Sequence, residues 1–429
     1  MKVLHFLNSL SIGGTEKAAR IWTSACIQHG DQVVVISLAN GPRKDEFENA
    51  GASVRITGKD PARIRETLRE LRPDIIHAHA PGYNHIGNVL GEALMGLSSS
   101  PPVLQTNVFG RLENPFENSW VKRRLFVSWT SAVQASRRSG RPLNKEFFAF
   151  NSVCCNPVED PVPFLYPTNG SSELKRPKIA NEFRARLGIA DSDILFGRFS
   201  RPDMHKWTQL PIAAFMAAAK INKSIRLLLR EPPAEVAREL ASSPASSHIV
   251  ILPATSDANE LLASQLACDA ILHCSMIGES FGYGIAEPMI LSIPTIVNST
   301  PWQDQAQLEL VRHHESGLHA SSTHSIRNAI LSLSESAERR RRYGTSARSR
   351  ILELASVSQS VSRLRCHYEE TVAGTRNSFC ADDLSKATET AAYLERHQYG
   401  HSLEEKWMLR QMEARIELSR LHKRFFAKS

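Results

Sequence analysis

The sequence predicts an α/β protein with two doubly wound domains and a helical C-terminal extension. Three observations carry that expectation. Short apolar runs alternate with segments of helical length, once from Val3 and again from Ile179, the pattern of parallel sheets covered by helices. Between the two blocks, Pro157, Pro161, Pro163, Pro167 and Gly170-Ser-Ser172 interrupt regular structure. From about Arg376 to Ser429 the composition is helical, with no strand-like run.

The length of 429 residues suits two domains and an appendage. The expected division is 1–165, 166–370 and 371–429. A hydrophobic content of 42% and a charged content of 22% are those of a globular protein. The net charge of +8 fits a phosphate-rich ligand or an anionic membrane surface. Nucleic acid is not expected, because no basic motif with interleaved aromatics and no zinc spacing appears. The seven cysteines are odd in number and scattered, as in a reduced, cytoplasmic chain. No apolar run is long enough for a spanning helix, so any membrane contact would be peripheral, at the inner face.

In the first block, Val3–Leu7 reads as a buried strand, followed by a loop ending in Gly13-Gly14. Thr15 is the expected N-cap of the helix 16–29. A strand, glycine turn and helix make a common phosphate corner, although a plain tight turn fits equally well. The GxGxxG dinucleotide fingerprint is absent. Strands are expected at 32–38, 53–57, 74–78 and 103–105, with a helix at 61–71. His77 and His79, in Ile75-Ile-His-Ala-His-Ala-Pro-Gly-Tyr-Asn-His85, lie on one face of a strand. With no third ligand apparent, no metal site is assigned. The stretch 119–129, SWVKRRLFVSW, reads as a surface helix, or as a basic and aromatic membrane-surface element. A strand is expected at 132–136.

In the second block, helices are expected at 179–187, 209–220 and 259–268, and strands at 193–200, 225–229 and 248–252. The loop after the strand at 193 carries Arg198, Arg201 and Lys206. Cations at the carboxyl end of a parallel strand stand where ligands bind in such sheets, and they suit a diphosphate. A solvated basic loop fits as well. The stretch from Ile277 to Asn298, IGESFGYGIAEPMILSIPTIVN, holds a glycine turn and an apolar helix between strands at 269–274 and 295–297. Glu279 stands in the turn, and Glu287 is expected at the helix start, its Pro288 in the first turn. Two carboxylates flanking such a turn can hold the hydroxyls of two rings, while unpaired helix N–H groups favour an anion. A solvated turn with a glutamate near a helix N-terminus fits the spacing as well.

The unit Glu279-Ser-Phe-Gly-Tyr-Gly-Ile-Ala-Glu287, followed by Pro294, resembles the E-x7-E signature of the retaining family 4 glycosyltransferases (glycosyl transferases group 1). Those enzymes have the GT-B fold, two Rossmann-like domains facing a cleft. The resemblance covers about 1–370. It implies that Glu287 holds the ribose of a nucleotide sugar. Glu279, with Ser280, Phe281 and Gly282 after it, would orient the transferred sugar. It further implies that Arg201 and Lys206, or Arg198 in place of Arg201, stabilise the donor diphosphate, and that Gly13 and Gly14 face the donor. Arg201, Lys206 and Glu279 are the expected catalytic residues. Two departures show: Ser292 where glycine is usual, and Pro288 where alanine is usual. A histidine common after the fifth strand is replaced by Thr106, Asn107 and Val108. His79 and Asn107 are therefore the acceptor-side candidates.

The implied activity is metal-independent, cofactor-free and retaining. It moves a hexose-type sugar from a nucleoside diphosphate sugar to a glycan or lipid-linked acceptor, as in cell-surface polysaccharide assembly. Two alternatives stand beside it. One is a GT-B nucleotide-sugar epimerase, which needs further acid/base carboxylates. The other is a non-catalytic protein that binds a nucleotide sugar or a glycan. The tail places Leu403, Trp407, Met408, Met412 and Ile416 at helical spacings. Such a stripe packs on its own chain or on a twin subunit, so a homo-oligomer is an expectation.

Overall fold

The structure is a computed structural model that describes residues 1–80, 84–112, 117–165, 176–241 and 246–426. It divides into two compact units. The first comprises Met1–Glu159 and Ala355–Ala392, the second Asp160–Leu354 and Tyr393–Ser429. The segment 371–429 is thus shared between them. Most of the Pro- and Gly-rich stretch, 166–175, lies outside the described residues.

The first unit contains β1 (Lys2–Leu7), β2 (Gln32–Ser37), β3 (Ser53–Ile56), β4 (Ile75–Ala80), β5 (Val103–Asn107), β6 (Val121–Phe126) and β7 (Asn151–Val153). They form one parallel sheet of order β3-β2-β1-β4-β5-β6-β7. Helices cover both faces, so a strand such as Gln-Val-Val-Val-Ile-Ser is buried along nearly its whole length. Leu4, Phe6 and Ile76 pack against Ile64 and Leu90 on one side. Val35 packs against Ala19 and Phe47 on the other.

The second unit contains β8 (Ile194–Phe199), β9 (Ile225–Arg230), β10 (Ile249–Leu252), β11 (Ala270–His273), β12 (Thr295–Val297) and β13 (Gly317–His319). This parallel sheet has the order β10-β9-β8-β11-β12-β13. Its core joins Phe196, Leu227 and Ile296 to Phe215 and Ile330, from the helices Gln209–Ile221 and Thr323–Glu335. In each sheet the winding reverses beside the first strand, between β1 and β4 and between β8 and β11. Loops diverge there above the carboxyl ends of the strands and leave a place for a ligand.

Several sequence expectations are corrected. The stretch 119–129 is no surface helix: its centre is β6, where Val121 and Arg123 point inward and Lys122 outward. The Arg123 guanidinium is buried against Glu370 at 3.1 Å and the Thr375 carbonyl at 2.8 Å, which removes it from any membrane surface. The expected strand at 132–136 is part of the helix Trp129–Ser139. A Ser128/Ser131 capping box starts that helix and Gly140 ends it in the left-handed region (φ +67°). The helix after β1, Gly14–Gln28, is capped at Gly13 rather than Thr15. Its Glu16 turns back to accept from Ser9 and Ser11 instead.

The helix after β11 spans Tyr283–Ile290 and starts earlier than expected, placing Glu287 and Pro288 in its second turn. Gly282, at φ +100°, supplies the carbonyl that accepts from Ile285 and Ala286, so a first turn closes ahead of the proline. In the tail, the helices Cys380–His397 and Leu403–Phe426 are present. Leu403 and Trp407 of the expected stripe are exposed, whereas Glu405 and Leu409 are buried. No helix among the described residues is long and apolar enough to cross a membrane.

Ser292 explains one departure of the sequence. It holds φ +64°, the left-handed conformation that suits glycine. The Ser292 amide donates to the Met289 carbonyl at 3.0 Å, and the Ile293 amide to the Pro288 carbonyl at 3.0 Å, a Schellman closure. The turn is required, and serine holds it at a strain of about 1 kcal/mol. Ser292→Gly should therefore stabilise the chain by up to about 1 kcal/mol. Urea unfolding that shows no gain would contradict this account of the turn.

Candidate functional site

Two loops meet at the reversal point of the second sheet. One leaves β8 and runs from Ser200 to Trp207; the other leaves β11 and runs from Cys274 to Gly282. The first is knotted around the Arg201 carbonyl, which accepts the Asp203 amide at 2.7 Å and the Trp207 indole N–H at 2.8 Å. Lys206 Nζ then crosses to the second loop, donating to Glu279 Oε1 at 2.6 Å and to the Gly278 carbonyl at 3.3 Å. His273, the last residue of β11, brings Nε2 to the same carboxylate oxygen at 2.9 Å.

The Glu279 backbone is braced as well. Its amide donates to Gln307 Oε1 at 3.0 Å, and its carbonyl accepts from Ala306 at 2.8 Å. Ser280 Oγ donates to Asp304 Oδ2 at 2.6 Å. Phe281 is buried edge-on to Tyr283, with ring centroids 5.1 Å apart. Gly284 allows the helix to approach β8: a Cβ there would lie 2.6 Å from the Phe199 carbonyl oxygen. Glu287 stands half-buried on that helix and accepts from Gln265 Nε2 at 3.1 Å.

The two arginines differ in kind. Arg198, on β8 itself, is 1% exposed. Its guanidinium donates to the Lys206 carbonyl and lies over the Trp207 ring, 4.5 Å from the centroid. Burial lowers its pKa to about 10, leaving it charged at neutral pH. It supports the loop from beneath. Arg201 has an exposed side chain on the loop surface. Together, Arg201, Lys206 and Glu279 offer two cations and a carboxylate at the carboxyl ends of β8 and β11, where a phosphate and a hydroxylated ring can be held.

Burial pushes the Glu279 pKa up, but Lys206 and His273 outweigh it and bring it down to about 2. Desolvation lowers the pKa of His273, whose bond to Glu279 opposes the shift. His273 is the residue that sequence reasoning missed. Its signal was its place at the end of the strand Ala-Ile-Leu-His, six positions before Glu279. Asp304 lies in the loop after β12 and Gln307 on the helix Ala306–Leu310 that follows it, and the sequence assigned neither a role.

In the first unit, Gly13 and Gly14 stand at the N-terminus of the helix after β1, with Gly13 extended (φ −134°). The acceptor-side candidates are inside the fold. Asn107 is buried and ties its own loop, donating to the Arg111 carbonyl at 2.6 Å and accepting from the Arg111 amide at 3.1 Å. His79 is 1% exposed. The expectation that no third ligand accompanies His77 and His79 is corrected, since His5 Nδ1 lies 2.7 Å from His79 Nε2. Both ring nitrogens of His77 are engaged, by Tyr368 and Thr106, at 2.8 and 2.7 Å. Desolvation lowers the pKa of all three, His5 to about 3, which keeps them neutral in a hydrogen-bonded core cluster.

Residues 210–350 match the family described as glycosyl transferases group 1. No curated protein matches the chain. Among solved structures, a glycosyltransferase from Rickettsia africae superposes with a TM-score of 0.70 at 14% identity, covering 86% of this chain and 98% of that one. Anabaena Alr3699/HepE, in complex with UDP and glucose, gives 0.69 at 18% identity over 86% and 99%. Sucrose-phosphate synthase from Thermosynechococcus elongatus gives 0.66 at 14% identity over 87% and 100%. The fold is thus GT-B, with two Rossmann-like domains and added C-terminal helices.

The Glu279 carboxyl binds its proton more weakly folded, at about 2, than at its ordinary value of 4.5. Its contribution to stability is therefore complete above about pH 5 and is lost as the pH falls through 4.5 toward 2. It amounts to roughly 3 kcal/mol. The stability difference between wild type and Glu279→Gln in urea should shrink as the pH drops from 6 to 3. A difference that stays constant would contradict the ion-pair reading.

Proposed function

We propose that the chain is a retaining glycosyltransferase that moves a hexose-type sugar from a nucleoside diphosphate sugar to a glycan or lipid-linked acceptor. The observation that carries the proposal is the Lys206–Glu279 contact at the reversal point of the second sheet, with Arg201 on the same loop. The match of residues 210–350 to the group 1 family and the UDP- and glucose-bound Anabaena structure support the ligand class.

On this reading the donor lies on the second unit. Glu287 accepts hydrogen bonds from the ribose hydroxyls. Glu279 accepts from the hydroxyls of the sugar and holds the Lys206 ammonium in place beside it. Arg201 and Lys206 face the diphosphate, and their charges oppose the negative charge that grows as the glycosidic C–O bond opens. The acceptor hydroxyl oxygen forms the new bond to the anomeric carbon on the face the diphosphate leaves. The departing phosphate oxygen takes the hydroxyl proton, so the anomeric configuration is kept and no protein base is needed. Two side-chain cations supply the charge, and the step requires no metal ion. Arg198 acts indirectly by holding the Lys206 backbone.

The test is nucleotide release from UDP-, GDP-, ADP-, dTDP- and CMP-sugars with acceptors, in the presence of chelator. Release from one donor class is expected. Lys206→Ala and Arg201→Ala should each lose about 10²–10³ in turnover, and Glu279→Ala should lose at least as much. Wild-type release that survives in all three variants, or that the chelator abolishes in a chain that stays folded, would overturn the mechanism.

A further inference from the structure

The second unit gathers histidines that the donor site does not use. His313 stands before β13 and His319 ends it. His397 closes the helix Cys380–His397, and His401 lies in the link to the next helix. His313 and His401 stack with ring centroids 3.7 Å apart. The His319 ring lies 5.2 Å from His313 and 5.6 Å from His401. One ligand nitrogen from each of His313, His319 and His401 falls within 4.8 Å of the other two.

The core cluster of His5, His77 and His79 also has bare nitrogens on His5 and His79, but both nitrogens of His77 are engaged and no ring there is exposed. His319 Nε2 is 2.7 Å from the Val311 carbonyl, which can only accept, so Nε2 carries the proton and Nδ1 the lone pair. That Nδ1 is buried with no hydrogen-bond partner, on a residue 5% exposed. An imidazole anchored by one nitrogen to a backbone carbonyl, with the other bare, has the set of a metal ligand. His397 Nδ1 is also buried and without a partner. His313 Nδ1 accepts the His319 amide at 2.8 Å, so its lone pair is directed toward His319. His401 is exposed, which provides an entry route.

We propose that His313, His319 and His401, with His397 beside them, bind a divalent transition-metal cation of the zinc class. Neutral imidazoles suit such ions, and three of them leave a fourth tetrahedral position for His397 or water. The ligands come from two parts of the chain, the edge of the sheet and the C-terminal extension, so the ion clasps one to the other. Glu405 prepares the same junction. Its carboxylate is buried and accepts from the Ser321 amide at 2.6 Å and the His401 amide at 2.9 Å, fixing the backbone that carries His401. β13 is three strands removed from β8, so the ion has a structural role and takes no part in glycosyl transfer.

The test uses the full chain, freed of metal by chelation and dialysis. Cobalt(II) followed by absorption should give the bands of a tetrahedral site at one equivalent, and zinc should displace it. Zinc should also raise the unfolding temperature. His401→Gln, at an exposed position, should fold as wild type and weaken binding at least tenfold, as should His319→Gln. A wild type that shows no tetrahedral cobalt bands, or variants that bind as tightly as wild type, would overturn the assignment.

Discussion

The ion pair between Lys206 Nζ and Glu279 Oε1 joins loops that leave different strands and fixes both at once. Its side chains are 14% and 12% exposed, so water competes weakly for either charge. A buried pair of this kind is stable only when further hydrogen bonds support it, and several do here. His273 reaches the same oxygen, the Gly278 carbonyl takes a second Lys206 proton, and Gln307 holds the Glu279 amide. Beneath them, Arg198 carries the Lys206 backbone on a guanidinium stacked over Trp207. The strand order, the left-handed Gly282 and the close approach permitted by Gly284 bring these loops together. The result is a carboxylate and an ammonium set in place by the fold itself.

Much of this was legible in the sequence because it is local. The glycine turn, the two glutamates and the Arg–Lys spacing lie within short stretches whose meaning depends on one strand and one helix. Ser292 was legible as an oddity, and the structure supplies its reason in a left-handed turn that glycine would hold more cheaply. The failures are non-local or compete with composition. The run Val-Lys-Arg-Arg-Leu-Phe looks solvent-facing until Glu370 and Thr375, far along the chain, neutralise and hydrogen-bond Arg123. Trp129–Ser139 hid a helix because its signal lay in the Ser128/Ser131 box and Gly140 rather than in apolar periodicity. His79 resembled a site residue because nothing near it in sequence shows His5. Pro288 was placed too early because the Gly282 carbonyl, which closes the first turn ahead of it, gives no compositional sign.

The C-terminal extension shows the same distinction. Its apolar residues were visible, but Leu403 and Trp407 stay exposed while Ala387, Leu394 and Leu409 are buried, and polar contacts add to their anchoring. Glu405 collects amides from both sides of the junction, the Ser299 hydroxyl donates to the Gln398 carbonyl, and the His313 amide donates to the Tyr393 hydroxyl at 3.1 Å. A segment held by directed hydrogen bonds together with a few scattered apolar residues leaves little periodicity to read.

The central claim is that Lys206 exchanges part of its bond to Glu279 for a donor phosphate while Arg201 closes on the same group. A crystal structure with a bound nucleoside diphosphate tests it most directly. The account predicts phosphate oxygens within hydrogen-bonding distance of Lys206 Nζ and the Arg201 guanidinium, with the ribose on Glu287 and Arg198 still on its carbonyl. A diphosphate bound away from the carboxyl ends of β8 and β11, or one held by Arg198 with Lys206 unmoved, would contradict it.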